Sequence, residues 1–393
     1  MRSEIQYREQ QAAAEPAVPA SSGSNSMDIE DETAKQVTRV WQDLLGIESI
    51  GLDENYFDLG GDSSLAVHMF AKLERIFRVK LPLATLYDAP TIRNLARILR
   101  GEASASGWSP LVAIQPFGSR PLFFCFHGAG GNVLIYRHLS RHLGPDQPFY
   151  GLQCLGLDGS CPPLATIEEM AALYVREIRR AQPQGPYFLG GYCMGGTLAF
   201  EVAQQLQAEG EPVALLALFD TMDWSKIPLT LWGKSYHAWQ RLWFHAASFL
   251  DLDLAGKTQF FREKAEVLRS RVPVWRGMLL ARFGRGSGAV TSESWVLGQV
   301  WEANDRAVWR YVPQPYPGKV TDFRPAKQYR IFTTPDAKWD TLAKGGQEII
   351  VLPVYPSGML LEPFVQYLAV ALRKAIDAAI RSCEATHQEE FCS

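Results

Sequence analysis

Apolar positions recur at helical spacing through the first hundred residues, then give way to an alternation of strand-like and helix-like segments. Val37, Val40, Trp41, Leu44 and Leu45 fall on one side of a helix that stops near Gly46. A loop through Asp53, Asn55 and Phe57 leads to Gly60-Gly61. A second helix opens at Ser63 and carries Leu65, Ala66, Met69, Phe70, Leu73 and Phe77 on one side. Ala89-Pro90-Thr91 marks a third, with Thr91 capping Ile92 to Leu99. Residues 33–100 therefore read as a small all-α domain. Residues 1–32 are rich in Ala, Ser, Gln and Glu with few apolar anchors, which suits a disordered or docking tail. Residues 101–109 form a tether of about 15–18 Å root-mean-square span if fully flexible.

From residue 110 to about 385 the alternation implies a mostly parallel sheet. Leu122 to Phe126 is an apolar strand ending at His127-Gly128-Ala129-Gly130-Gly131, and Ile167 to Arg180 is an amphipathic helix. Tyr187 to Gly191 is a strand, Thr197 to Ala208 a helix, and Val213 to Phe219 a buried strand ending at Asp220. Residues 227–290 break the pattern with Trp232, Trp239, Trp243, Phe244, Phe260 and Phe261 among helical stretches, the signature of an inserted helical lid. Strands near Val320 and Ile349 and a helix from Glu362 to Arg381 complete this domain, and residues 386–393 read as a polar tail.

Composition narrows the classes. With 393 residues there is room for two domains and a large core. A net charge of −3 with both signs mixed gives no basic face for nucleic acid and no charge block for a membrane surface. The N-terminus lacks the apolar core of a signal peptide and no run is long enough to span a bilayer, so a cytoplasmic protein is expected. The six cysteines show no close metal-type pairs; reduced thiols and no metal are expected.

Two motifs carry chemistry. In Leu59-Gly60-Gly61-Asp62-Ser63-Ser64-Leu65, two glycines allow a tight turn and open access to a serine at a helix start. Asp58-Leu59-Gly60-Gly61-Asp62-Ser63-Ser64-Leu65-Ala66, together with the Trp41 helix and Ala89-Pro90-Thr91-Ile92, resembles the acyl or peptidyl carrier domains of polyketide and nonribosomal peptide synthases. That resemblance implies that Ser63 receives a covalent 4′-phosphopantetheine arm from a phosphopantetheinyl transferase. It also implies upstream synthase modules as partners and an acyl or peptidyl thioester as substrate.

The second motif, Gly191-Tyr192-Cys193-Met194-Gly195-Gly196, is a nucleophile elbow with cysteine at its apex. A helix N-terminus behind it favours a thiolate, and the Met194 N–H is a natural oxyanion donor. A glycine loop before a helix could instead suggest a nucleotide site, but neither the phosphate-loop lysine nor the dinucleotide glycine pattern is present. Phe124-Cys125-Phe126-His127-Gly128, the elbow, and Leu218-Phe219-Asp220-Thr221 together resemble the thioesterase domains that end such assembly lines, members of the α/β-hydrolase family. The resemblance implies Cys193 as nucleophile, the Ala129 and Met194 N–H groups as oxyanion hole, and Asp220 as the acid that orients a histidine.

That histidine is missing. In Val351-Leu352-Pro353-Val354-Tyr355-Pro356-Ser357-Gly358-Met359-Leu360 the family's base falls on Pro356. His127 belongs to the oxyanion loop with a structural role, whereas His237 and His245 lie in the expected lid. Three readings follow: acyl transfer through Cys193 to an amine or carbon nucleophile, hydrolysis with a base from elsewhere, and a carrier joined to a non-catalytic acyl-binding domain. The first is favoured. Exchange between thiols needs no acid for the leaving thiolate, whereas water must lose a proton as it attacks.

Overall fold

A computed structural model of the chain describes residues 25–61, 63–103, 108–222, 292–326, 339–354 and 358–392. The expected lid, with His237 and His245, lies outside the described residues, as do Asp62, the middle of the tether, and Pro356.

The N-terminal bundle comprises α1 (Asn25–Leu45), α2 (Ser63–Phe77), a single turn α3 (Thr85–Asp88) and α4 (Ile92–Leu99). Trp41 is fully buried and meets the Tyr56 ring edge-on, with centroids 5.1 Å apart. Val37, Ala66, Met69, Phe70, Leu73, Ile92 and Leu95 close the same core. Burial of each large apolar side chain here contributes on the order of 1.5–3 kcal/mol. The first helix ends as expected: Gly46 turns left-handed at φ +69°, and its N–H donates to Gln42 O at 2.9 Å. Thr91 caps α4 by accepting from Asn94 N at 3.2 Å.

The same helix starts earlier than the apolar pattern indicates, at Asn25 rather than near Glu32. Its extra turns carry Asp28, Glu30 and Asp31 in the sequence, acidic residues of the kind that favour a helix N-terminus. The single-turn helix α3 went unforeseen because four residues cannot display a helical period.

Among the described residues of the second domain, seven strands form one sheet in the order β1-β3-β2-β4-β5-β6-β7. They are β1 (Leu111–Gln115), β2 (Phe123–Phe126), β3 (Phe149–Leu152), β4 (Tyr187–Tyr192), β5 (Val213–Phe219), β6 (Val320–Pro325) and β7 (Gln347–Leu352). Only β1 runs antiparallel to its neighbour within this set. Helices α6 (Ile167–Ala181) and α7 (Met194–Ala208) cover one face, with Met170, Tyr174, Leu198 and Val202 buried against it. On the other face α5 (Arg137–Leu143) and the last helix bury Leu139, Leu143, Leu368 and Leu372. Both faces are covered, so β2 and most of β5 read as unbroken apolar runs.

Helices α8 (Ser292–Arg310), α9 (Trp339–Leu342) and α10 (Val365–Cys392) complete the described part. The last of these runs through most of the segment read as a polar tail. A polar sequence can continue an established helix, because adding a residue costs much less than nucleating a new turn.

Topology places the site. β2 has β3 on one side and β4 on the other, so the chain changes direction across the sheet at β2. A crevice opens beyond the carboxyl ends of strands at such a reversal. In the register Phe126 stands opposite Gly191, which brings the loop after β2 against the turn after β4.

Candidate active site

Cys193 sits between the last residue of β4 and the first of α7, at φ +55° and ψ −116°. A non-glycine residue in the left-handed region costs about 1–3 kcal/mol and persists only where its surroundings enforce it. Here they do. The Cys193 N–H donates to Phe219 O at 2.9 Å, and its carbonyl accepts from Gly196 N at 3.1 Å. The side chain is partly exposed.

The elbow glycines are sterically required. A Cβ on Gly191 would lie 2.2 Å from the Gly195 carbonyl, and one on Gly195 would lie 2.2 Å from Phe126 O. At Gly196 it would meet Thr221 Oγ1 at 1.9 Å. Such close packing lets α7 begin directly behind the thiol, with the Met194 N–H in its first turn.

The loop after β2 is fixed from behind. His127 is fully buried, and burial pushes its pKa down to about 4 against the opposing effect of the Gly128 carbonyl, so the ring is neutral at pH 7. Its Nδ1 faces Gly128 O at 2.7 Å and must hold the proton, leaving Nε2 to accept from the Tyr174 hydroxyl at 2.7 Å. The Gly128 carbonyl also accepts from Gly131 N at 2.9 Å. In a trans peptide the Ala129 N–H points opposite to that carbonyl, away from His127 and free of its pull. Asn304, fully buried on α8, donates to Ala129 O at 3.0 Å and in turn accepts from the Cys154 thiol at 3.7 Å. A Cβ on Gly130 would be 3.4 Å from the Trp301 ring, which lies one helical turn before Asn304.

Tyr136 ties the two loops together. Its hydroxyl donates to Phe126 O and accepts from Tyr192 N at 3.0 Å, so one phenol bridges the ends of β2 and β4.

Asp220 follows β5 at φ +45°, and its N–H donates to Phe323 O at 2.9 Å. Tyr192 pairs with Phe219 in the register, so Cys193 and Asp220 occupy successive positions on neighbouring strands at the same sheet edge. Burial, reinforced by the nearby Asp322 carboxylate, raises the Asp220 pKa to about 7. Asp322 itself is buried on β6, held by Arg324 Nε at 2.7 Å and Gln347 Nε2 at 3.0 Å.

The structure thus gathers Cys193, the Met194 and Ala129 N–H groups, and Asp220 at one edge of the sheet. Residues the sequence reading missed are Tyr136, Tyr174, Asn304 and Asp322, each of which acts through a partner distant along the chain. Asn304 stands among Glu302, Asp305 and Arg306, and Asp322 beside Thr321 and near Arg324, so local composition gave no signal for either.

On the small domain the turn before Ser63 also depends on glycine. Gly60 is left-handed at φ +89°, and a Cβ on Gly61 would sit 2.4 Å from the Tyr56 ring. Ser63 is the first residue of α2. A helix start behind a glycine turn fits an attachment point for a long arm. When bound, the arm supplies a thiol that carries an acyl chain as a thioester. No group of three or more metal-ligating side chains occurs among the described residues, and no described helix is long and apolar enough to cross a membrane.

Comparison with known proteins agrees with this geometry. The model for the phosphopantetheine attachment site matches residues 35–99, and that for the thioesterase domain matches residues 121–276. Malpinin synthetase of Mortierella alpina is 43% identical over 184 residues, which are 46% of this chain and 2% of that protein. Indigoidine synthase of Dickeya dadantii is 42% identical over 183 residues, 47% of this chain and 12% of that one. A dimodular nonribosomal peptide synthase of Bacillus subtilis is 38% identical over 181 residues, 46% of this chain and 8% of that one. The matched region is thus a small fraction of each relative's length. The fold agrees with the crystal structure of holo-AB3403, a four-domain nonribosomal peptide synthetase, at TM-score 0.54 and 24% identity, covering 93% of this chain and 27% of that one. Two domain models in this order, over a helical bundle and an α/β-hydrolase sheet, make the chain a phosphopantetheine carrier domain followed by a thioesterase domain.

Proposed function

We propose that this didomain releases an acyl or peptidyl chain delivered by upstream nonribosomal peptide or polyketide modules. The chain passes from the arm on Ser63 to Cys193, then to an amine or carbon nucleophile in preference to water. One observation carries the reading. The elbow retains its enforced left-handed apex, its helix N-terminus and its braced oxyanion loop, while the sequence has Pro356 where the family's histidine falls.

In the first step Cys193 sulfur attacks the thioester carbonyl, and the thiol proton passes to the Asp220 carboxylate. Negative charge collects on the carbonyl oxygen, where the Met194 and Ala129 N–H groups stabilise it. Collapse breaks the carbon–sulfur bond to the leaving thiol, which recovers the proton from Asp220. The acyl group is then on Cys193, with bonds and protons balanced. In the second step an amine attacks with a lone pair it already has, the carbon–sulfur bond to Cys193 breaks, and the proton the amine gives up returns to the Cys193 sulfur. Water must lose a proton during attack, and without a positioned imidazole that step is slower by about 10²–10⁴-fold. Asp220 thus serves as proton acceptor in place of orienting a histidine.

The test is to load the carrier enzymatically with a simple acyl group. Intact-protein and peptide mass spectrometry then follow the label, with and without added amines. Acyl mass should appear on the Cys193 peptide, persist in buffer and leave quickly with amine. Cys193→Ala should keep the chain on Ser63, and Ser63→Ala should never load. Rapid hydrolysis with no preference for amines would reject the release mode. Release at the normal rate by Cys193→Ala would reject the nucleophile.

A further inference from the structure

The carrier and thioesterase domains meet along a built contact centred on the segment that follows the oxyanion loop. The Arg137 guanidinium stacks on the Phe57 ring at 4.1 Å and reaches Asp58 Oδ1 at 3.3 Å and Asn55 Oδ1 at 3.4 Å. Arg141, one turn further along α5, reaches the same Asp58 oxygen at 3.4 Å. Leu134 is buried within the carrier's own core cluster. The Tyr87 hydroxyl, kept a neutral phenol by burial, donates to Val133 O at 3.3 Å.

What these carrier residues hold is not an arbitrary patch. Val133 to Arg137 contains Tyr136, whose hydroxyl bridges Phe126 O at the end of β2 and Tyr192 N at the end of β4. Gly131, at the end of the oxyanion loop, is two residues before Val133. A side of the carrier that merely ferried substrate would have no need to grip this segment from both ends, through Tyr87 at Val133 and through Phe57 and Asp58 at Arg137. Burial of the Arg137 guanidinium disfavours its charge, and Asp58 offsets part of that cost.

We propose that the docked carrier is a positioning element of the thioesterase site: Phe57, Asp58 and Tyr87 brace Val133–Arg137, and Tyr136 passes that constraint to the oxyanion loop and the Cys193 elbow. This rests on the reading of Cys193 as the reactive thiol. It goes beyond delivery of the acyl chain, because it makes the carrier necessary for reactions that need no carrier-borne substrate.

The experiment uses the full chain and two variants. Asp58→Arg places a third cation against Arg137 and Arg141 and should undock the carrier, seen as expansion in small-angle scattering. Tyr87→Phe removes one hydroxyl and leaves every charge in place. Two readouts bypass the arm: the rate at which iodoacetamide alkylates Cys193, and acylation of Cys193 by an N-acetylcysteamine thioester. Both variants should keep the wild-type circular dichroism. Asp58→Arg should slow soluble-thioester acylation by at least about tenfold, the scale expected when a reacting group is displaced by a fraction of an ångström to an ångström. It should also change the alkylation rate, and Tyr87→Phe should move both readouts in the same direction by less. Adding Arg137→Glu and Arg141→Glu to Asp58→Arg should restore docking and recover part of both rates. Alkylation and acylation within about twofold of wild type in an undocked Asp58→Arg protein would overturn the proposal, as would failure of Asp58→Arg to undock the carrier. Should Cys193 prove not to be acylated in any variant, the alkylation rate still decides whether docking reaches the elbow.

Discussion

Asp220 carries the clearest conflict between stability and chemistry in this protein. Its carboxyl is raised from 3.8 to about 7 by burial and by Asp322, so the folded chain prefers it protonated. A group whose folded pKa is raised stabilises the fold fully below the unfolded pKa and loses that contribution as pH rises through the folded value. Relative to Asp220→Asn, which cannot ionise, the wild type should therefore lose thermal stability between about pH 4 and pH 7 and level off above. Melting temperatures of both proteins across that range check this, and a difference independent of pH would refute it. Asp322→Asn removes the neighbouring negative charge while Arg324 stays, so it should move the same transition to lower pH. If the Asp220 carboxylate accepts the thiol proton as proposed, acylation of Cys193 should gain a limb with the same midpoint, and Asp220→Asn should abolish that limb. Asn304 offers a second residue-scale test. Asn304→Leu leaves the half-buried Ala129 carbonyl without its donor and should cost about 1 kcal/mol by denaturant unfolding, with slower acylation because the Ala129 peptide is no longer held.

At the scale of elements, the elbow is a packing problem before it is a chemical one. Gly196→Ala would force a Cβ to within 1.9 Å of Thr221 Oγ1, joining α7 to the residue after Asp220. Overpacking of this kind costs about 1–3 kcal/mol. Thr221→Ala removes Oγ1 and Cγ2 but keeps the Cβ at 2.8 Å, so the double variant should regain part of the stability lost by Gly196→Ala. A double-mutant cycle with no coupling would show that the glycine is not required by this contact. The same logic explains what was legible in the sequence. Glycines on both sides of Cys193 announced an elbow because nothing larger fits, and Thr91 announced a helix start because its hydroxyl meets Asn94 N. Central strands were visible as apolar runs because both faces of the sheet are covered. Strands β1 and β3 escaped notice: each is short, and β1 lies at the sheet's edge, where alternation is weak. Tyr136 and Asp322 were invisible as site residues, since a phenol that joins two strand ends and a carboxylate that raises its neighbour's pKa act only through partners far along the chain. Local pattern reaches what a segment does for itself. It does not reach what the topology later sets beside it.

On the scale of the whole molecule, the sheet order decides which loops can cooperate, and the sequence resemblance puts the expected histidine at one of them, on Pro356. Residue 356 follows β7, between Val354, which is buried, and Met359 and Leu360, which pack into the core under α10. The family's histidine at this place would give Asp220 an imidazole to orient and give water a base. Proline supplies neither, and in the proposed mechanism the Asp220 carboxyl, with its pKa raised to about 7, takes the thiol proton. Pro356→His should therefore shorten the lifetime of acyl-Cys193 in buffer while changing its discharge by amines much less, because an amine brings its own lone pair. The gain in hydrolysis should approach the lower end of the 10²–10⁴-fold range typical of a positioned base, about 10²-fold. It should also disappear in Pro356→His/Asp220→Asn, where the imidazole has lost its orienting carboxylate. The measurement is the decay of acyl mass on the Cys193 peptide in water and in amine, for the wild type, the single variant and the double variant. Equal acceleration of both acceptors, or a gain that survives loss of Asp220, would show that proline at 356 does not set the choice between amine and water.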